Sequence, residues 1–324
     1  MTQIRDEIVT VFGGTGFLGS CVVQEAVKSG LTVRVAVRSP GEGLFLKQMA
    51  EVGQVELITA SVLDPSSIEK ALEGASYAVN CVGILFPKGP QTFKKIHHEA
   101  PEAIAKACRK KKIKRLVHVS AIGADPKSSC RYFQTKAEGE EAVLKNFKES
   151  FILRPSVIFG PKDQFIGRFS RMARTFHIIP VIGGGKTQCQ PVYVGDVAQA
   201  IVSCLVTQDL HLPKKTPIFE LGGPEVFTFR TLFEEMLKEM KGKAWIVSIP
   251  FPIASIIGFF TGFLFPQLLS REQIKMLKKD NVVQKGSMGF QTLKIQPKSL
   301  KELFPSLLAR FASPQRTHPF STIP

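Results

Sequence analysis

Short apolar runs of strand length alternate with longer mixed stretches through the first half of the chain. Ile8–Phe12, Val33–Val37, Val55–Thr59, Tyr77–Cys81, Arg115–Ser120 and Phe151–Leu153 read as strands, and stretches near 17–29, 91–110 and 132–147 read as helices. Buried strands that alternate with helices predict an α/β fold, a doubly wound parallel sheet with helices on both faces. Ligands of such sheets bind at the carboxyl ends of the strands.

After about residue 160 the rhythm breaks. Gly183-Gly184-Gly185 marks a loop and Val194–Val206 a helix, while 217–249 reads as a strand, a helix (Thr228–Lys241) and a further strand. A smaller α/β lobe over 161–324, interleaved with the sheet of 1–160, is the expected organisation. Ile249–Leu269 has no charged residue, and its length approaches the about 20 apolar residues of a membrane span. Pro250, Pro252 and Pro266 leave only Ile253–Phe265 uninterrupted, with Gly258 and Gly262 inside. That is too short to span. Two readings stay open: a helix buried or covered by protein, and a helix lying on a membrane or hydrophobic partner.

The first strand runs into Gly13-Gly14-Thr15-Gly16-Phe17-Leu18-Gly19 and then a helix. In this GxxGxxG spacing the first glycine permits a tight turn. The second lets backbone approach a pyrophosphate, and the third lets helix and strand pack closely. The helix start offers free N–H groups and a positive dipole end to the phosphates. The fold class is therefore Rossmann-type, and the ligand a dinucleotide. The second strand ends Val35-Ala36-Val37-Arg38-Ser39-Pro40. No carboxylate stands there to take a ribose 2′-hydroxyl, whereas Arg38 can pair with a 2′-phosphate. NADPH is therefore expected over NADH. Arg34, on the same strand face, is a weaker candidate for that phosphate.

Tyr132 and Lys136 stand four apart on an expected helix, so they share one face. A cation so placed lowers a phenol pKa and can also hold the nicotinamide ribose. Ser120, at the end of the preceding strand, could hydrogen-bond a substrate carbonyl.

The chain has 324 residues, 44% of them hydrophobic, which suits one ordinary domain or one plus an appendage. Lys+Arg 43 against Asp+Glu 27 leaves a formal charge of +16, which favours acidic partners. RNP-type aromatic motifs, zinc-finger spacing and a basic zipper are absent, so no nucleic-acid partner is expected. The six cysteines are scattered without CxxC spacing, as in a reducing compartment. His97 and His98 lack an i, i+4 partner, and no metal site is expected. The start of the chain, MTQIRDEIVTVFGG, reads as neither signal peptide nor Arg/Ser-rich presequence. The basic run 106–115 reads as a solvated helix end, with contact to anionic lipid or an acidic subunit as the alternative. Trp245 reads as core, and Asp163 and Asp196 as loop and cap residues.

These motifs together resemble the short-chain dehydrogenase/reductase superfamily, in its extended or atypical NAD(P)-binding branch. The resemblance rests on GGTGFLG at 13–19, VRVAVR at 33–38, NCVGIL at 80–85, HVSAIGAD at 118–125, YFQTKAEGE at 132–140, LRPSVIFGP at 153–161 and QPVYVGDVA at 190–198. It implies a cofactor contact set of Gly13, Thr15, Gly16, Phe17, Leu18, Gly19, Arg38, Ser61, Val62, Cys81, Val82, Gly83, Tyr132 and Lys136, with Pro155, Ser156, Val157 and Ile158 passing under the nicotinamide. Two departures stand out. Ser61 occupies a position that is usually acidic, and Ser120 is followed by Ala121 instead of a longer Ser/Thr run. SAIGADPKSSCRYFQTKAEGEEAV and the late LLSREQIKMLKKDNVV are similar to a narrower group. That group is the dehydrogenase-like accessory subunits of respiratory complex I, with their alphaproteobacterial relatives.

The narrower resemblance implies NADPH held without turnover and complex I subunits as partners, with an anionic membrane surface as a further one. It also implies a peripheral place on the inner membrane, on the cytoplasmic face in a bacterium or the matrix face in a mitochondrion. The alternative is an active NAD(P)-dependent oxidoreductase, epimerase or dehydratase on a sugar nucleotide or other carbonyl compound. In that case Tyr132 would be the general acid/base, Lys136 would tune it, and Ser120 would orient the carbonyl.

Overall fold

Alternate residues of a strand face opposite ways, and in β1 both sets are largely apolar. The computed structural model, which describes residues 7–207, 217–264 and 270–311, buries both. The elements run β1 (Ile8–Phe12), α1 (Phe17–Lys28), β2 (Thr32–Val37), α2 (Leu44–Lys47), β3 (Val55–Thr59), α3 (Pro65–Ala71), β4 (Tyr77–Asn80), α4 (Ala100–Lys110), β5 (Arg115–Val119), α5 (Arg131–Asn146) and β6 (Ser150–Pro155). The second half adds β7 (Ile158–Phe159), α6 (Gln164–Phe176), β8 (Ile178–Ile182), β9 (Gln188–Cys189), β10 (Val192–Tyr193), α7 (Val194–Val206) and β11 (Ile218–Leu221). It closes with β12 (Phe227–Thr228), α8 (Phe229–Glu239), β13 (Trp245–Ile249), α9 (Phe251–Leu264), α10 (Arg271–Met276) and α11 (Leu300–Leu308).

Seven strands form one parallel sheet in the order β11-β6-β5-β4-β1-β2-β3. Val9, Val11, Val33, Val35 and Val117 pack on one face with Val22 of α1 and Ile201 of α7. Phe12, Ala78, Leu116 and Ile152 pack on the other with Ile68 of α3, Ile104 of α4 and Val143 of α5. Strand order reverses between β1 and β4, which opens a crevice at their carboxyl ends. A buried ion network ties β6 to its neighbours α5 and β11. Arg154 on β6 donates to both carboxylate oxygens of Glu140 on α5, at 2.9 and 2.6 Å, and lies 3.7 Å from Glu220 on β11.

The remaining strands make three two-stranded ribbons, β7–β10, β9–β12 and β8–β13. Around them Phe159, Ile166, Ile179, Val181, Phe233 and Phe304 form a separate core. Asp163 caps α6 by accepting from the Ile166 N–H at 2.6 Å.

The structure departs from the sequence reading in several places. Helices α3 and α6 were not anticipated, and the helix read over 91–110 enters through a π turn at Lys95–Glu99. Trp245 is 79% exposed, not core, because β13 is one strand of a two-stranded ribbon and turns alternate residues to solvent. Asp196 does not cap its helix; it accepts from the Lys298 N–H at 2.7 Å. The basic run is largely neutralised in place. Lys106 pairs with Glu102, Lys110 with Glu69, Lys111 with Glu73 and Lys114 with Glu7, while Arg115 donates to carbonyls ending α7. This supports the solvated-end reading. No described helix is long and apolar enough to cross a membrane.

Candidate functional site

The turn after β1 shows why glycines are needed. Gly13 has φ +80°, and its Gly16 neighbour donates back to the Gly13 carbonyl at 3.0 Å. A Cβ on Gly19 would lie 2.0 Å from that same carbonyl oxygen, so α1 seats directly on the turn. Gly16 is exposed; a Cβ there would meet only the Gly13 oxygen, at 3.3 Å. Its outer side is thus free for a phosphate. No side chain caps α1 and no acid sits in its first turn. The amides of Phe17, Leu18 and Gly19 and the helix dipole therefore face an anion site. Gly14, which the motif leaves unspecified, is also constrained: a Cβ would lie 2.5 Å from the Val35 side chain.

Arg38 follows the end of β2, exposed, and among the described residues its side chain forms no hydrogen bond or ion pair. Arg34 differs. It donates to Glu56 at 2.9 Å and to the carbonyls of Ala71 and Glu73 at 3.2 and 2.5 Å. It is a structural cation and drops out as a phosphate ligand. After β3, Ser67 Oγ accepts from the Ser61 N–H and donates to the Ser61 carbonyl, both at 3.0 Å. The Val62 amide is then the group left for an adenine.

Beyond β4, Asn80 Oδ1 accepts from the Val82 N–H at 3.0 Å, and Asn80 Nδ2 lies 3.1 Å from His118 Nδ1. The first bond fixes the amide orientation, so Nδ2 donates and His118 Nδ1 accepts. The His118 proton is then on Nε2, a buried atom without a partner. His97 works the other way round. Its Nε2 accepts from the Ile84 N–H at 3.1 Å, so Nδ1 carries the proton toward Thr135 Oγ1 at 3.2 Å. Burial holds both rings neutral, pushing His97 down to about 2 and His118 to about 3.

The catalytic candidates meet at the end of β5. Lys136, buried on α5, donates through Nζ to the Val119 carbonyl at 3.0 Å. A Cβ on Gly83 would come 3.4 Å from that Nζ, so the ammonium lies between the ends of β4 and β5. Burial lowers its pKa to about 8, and Glu140 opposes the shift. Ser120 is 4% exposed and its hydroxyl has no partner. Tyr132 is set among aromatic rings: His97 at 5.2 Å, Phe133 at 5.5 Å and Phe93 at 6.1 Å. Burial raises its phenol to about 12. The sequence reading expected Lys136 to lower that pKa. Desolvation wins instead, and Tyr132 is a weak acid held protonated.

Past β6, Ser156 is committed structurally. Its hydroxyl donates to Asn281 Oδ1 at 2.6 Å, and Asn281 Nδ2 donates to the Ile122 carbonyl at 3.3 Å. The Asn281 backbone pairs with Gln188 and Gln190. Asn281 therefore binds the strand-end loops to the C-terminal lobe. Sequence reasoning missed this residue, as it missed the polar roles of His97 and His118. Pro155, Val157 and Ile158 continue from β6 into β7 beside Ser156.

An orphaned donor on His118, an orphaned hydroxyl on Ser120, a cradle at Gly16 and an uncapped helix start all fit a nicotinamide dinucleotide. Together with the 3-2-1-4-5-6 core of the sheet they define an NAD(P)-binding α/β protein. The family described as NAD(P)H-binding matches residues 13–208. The chain is 34% identical over 311 residues to the NADH dehydrogenase [ubiquinone] 1 alpha subcomplex subunit 9 of Arabidopsis thaliana, covering 93% of this chain and 77% of that one. It is 31% identical over 297 residues to the NADH-ubiquinone oxidoreductase 40 kDa subunit of Neurospora crassa, covering 91% and 77%. In fold it is similar to the triphenylmethane reductase of Citrobacter sp. complexed with NADP(H), with TM-score 0.72 and 18% identity over 93% of this chain and 100% of that one. The chain belongs to the alpha-subcomplex subunit 9 family within the NAD(P)H-binding α/β proteins.

Proposed function

We propose that the chain is an accessory subunit of respiratory complex I that holds NADPH without turning it over. The observation that carries this reading is the extent of the likeness: it covers 93% of the chain and so includes the C-terminal lobe, where specificity on shared folds resides. The state of Tyr132 and Lys136 supports it, since one is held protonated and the other bonded to a main-chain carbonyl.

When bound, the nucleotide supplies two-electron redox chemistry at its ring. The chain's own residues do the holding. The turn of Gly13, Thr15 and Gly16 and the amides of Phe17, Leu18 and Gly19 take the diphosphate. Arg38 takes the 2′-phosphate, and the Val62 amide, beside Ser61, meets the adenine. Cys81, Val82 and Gly83 flank the nucleotide, Lys136 and Tyr132 hold the nicotinamide ribose, and Pro155–Ile158 underlie the ring. A ligand that binds only the folded chain stabilises it by about 2.7 kcal/mol at a hundred times its Kd. The partners are complex I subunits and the place is peripheral on the inner membrane, at its matrix or cytoplasmic face.

The second reading, an active oxidoreductase or epimerase on a carbonyl compound, is favoured by the unpartnered Ser120 hydroxyl. Nucleotide released from the natively purified protein distinguishes the two. The first reading expects NADPH that stays reduced when sugar nucleotides or other carbonyl compounds are added. Steady oxidation that Tyr132→Phe abolishes would overturn it.

A further inference from the structure

We infer that Lys162 is a further ligand of the nucleotide's diphosphate, reaching it from the C-terminal lobe. The inference rests on the nucleotide-holding reading above and adds the lobe's own contact to it. Lys162 stands between β7 and α6, in a turn closed by the Asp163 N–H, which donates to the Gly160 carbonyl at 3.1 Å. Pro161 and Lys162 are the central residues of that turn, and Lys162 has φ +72°. The second central position of such a turn ordinarily holds glycine or asparagine. A lysine sits there with strained backbone, which marks its side chain as a candidate for function.

The side chain leaves its own lobe. Its Nζ lies 5.8 Å from the centre of the Phe45 ring on α2, in the nucleotide-binding half. Its charge also acts on Cys21 of α1, where burial raises the thiol pKa and the Ser20 hydroxyl and Lys162 oppose that rise. Phe17 shares the Cys21 face of α1, one turn of about 5.4 Å nearer the helix start. Ile158 of β7 and Tyr193 of β10 pack against the same core as Phe17 and Cys21. The ribbon that leads to Lys162 is thus seated beside the uncapped helix start. Among the described residues Lys162 has no carboxylate partner. Asp163, next in sequence, is buried and accepts from the Ile166 and Gly160 amides at 2.6 and 3.5 Å. Glu42, three residues before Phe45, makes no ion pair with Lys162. An ammonium resting on an aromatic face, with no acid to leave, can turn to a diphosphate. The α1 amides give that group directional bonds, and Lys162 supplies the cation that Arg38, placed at the 2′-phosphate, does not.

Calorimetry on the full-length chain with NADPH and with NADH tests this. The diphosphate is common to both, so Lys162→Met is expected to weaken both about tenfold or more and to flatten the fall of affinity with added salt. Lys162→Arg should restore most of the affinity. Phe45→Leu should weaken binding much less, because the ring only supports the lysine. The melting temperature without nucleotide, expected unchanged in Lys162→Met, reports that the fold is intact. Unchanged affinity in Lys162→Met would overturn the inference. So would a loss confined to NADPH, which would move Lys162 to the 2′-phosphate. An equal loss in Phe45→Leu, with unaltered salt dependence in Lys162→Met, would reduce the pair to a clasp between lobe and sheet and overturn it too. A wild-type chain that takes up neither nucleotide would refute the holding reading itself, and the inference with it.

Discussion

In the proposed function Arg38 is the residue that would discriminate between the two coenzymes, since no described residue pairs with its side chain at the end of β2. Arg38→Glu should weaken NADPH binding by about a hundredfold, through loss of a charge-assisted contact and introduction of repulsion, and change NADH binding far less. Calorimetry with both nucleotides checks this; equal losses would remove the 2′-phosphate role. Lys136 should hold the ribose from its bond to Val119, so Lys136→Met should cost about tenfold or more in affinity for either nucleotide. The two neutral histidines make a pH prediction. Folded, His97 and His118 titrate near 2 and 3, whereas the unperturbed value is 6.5. Their contribution is whole above about pH 6.5 and is lost as the pH falls, because the unfolded chain then binds more protons. Each ring adds a slope of up to about 1.4 kcal/mol per pH unit. Denaturant titrations at neutral and acid pH should show a shallower loss for His118→Gln, which can still accept from Asn80. An unchanged slope would refute the buried neutral ring.

Among the elements, β1, its glycine turn and α1 were legible in the sequence because each residue's demand is local. Gly13 needs its positive φ and Gly19 its missing Cβ, and both needs leave a fixed spacing. Gly19→Ala should destabilise the chain by about 2 kcal/mol or more and abolish nucleotide binding, since the obstructing atom is main chain. Thermal unfolding with and without NADPH would register both effects. Asn281 was not legible for the opposite reason: its partner Ser156 is 125 residues away, and no local pattern announces such a contact. The same holds for His97, whose role depends on Ile84 and Thr135 arriving from two other elements. Helix α3, only seven residues long, is too short to establish a period. Trp245 was misread because residue type alone cannot tell a ribbon's outer face from its inner one. The expected activation of Tyr132 failed because i, i+4 spacing sets a shared helix face but not the depth of burial.

For the molecule as a whole, the positive charge is unevenly spent. Around α4 it is absorbed by nearby carboxylates, with Lys106 on Glu102, Lys110 on Glu69 and Lys111 on Glu73. Asn281 joins the loops after β5 and β6 to the C-terminal lobe, and Arg154 joins β6 to α5 and β11. The central claim is that the chain serves as an NADPH-holding subunit of complex I. It is tested most directly by isolating the chain from native membranes in mild detergent and measuring what co-migrates and which nucleotide it carries. The account predicts complex I subunits at constant ratio to the chain, with one NADPH per chain that remains reduced. A chain that migrates free of those subunits and carries no pyridine nucleotide would contradict it.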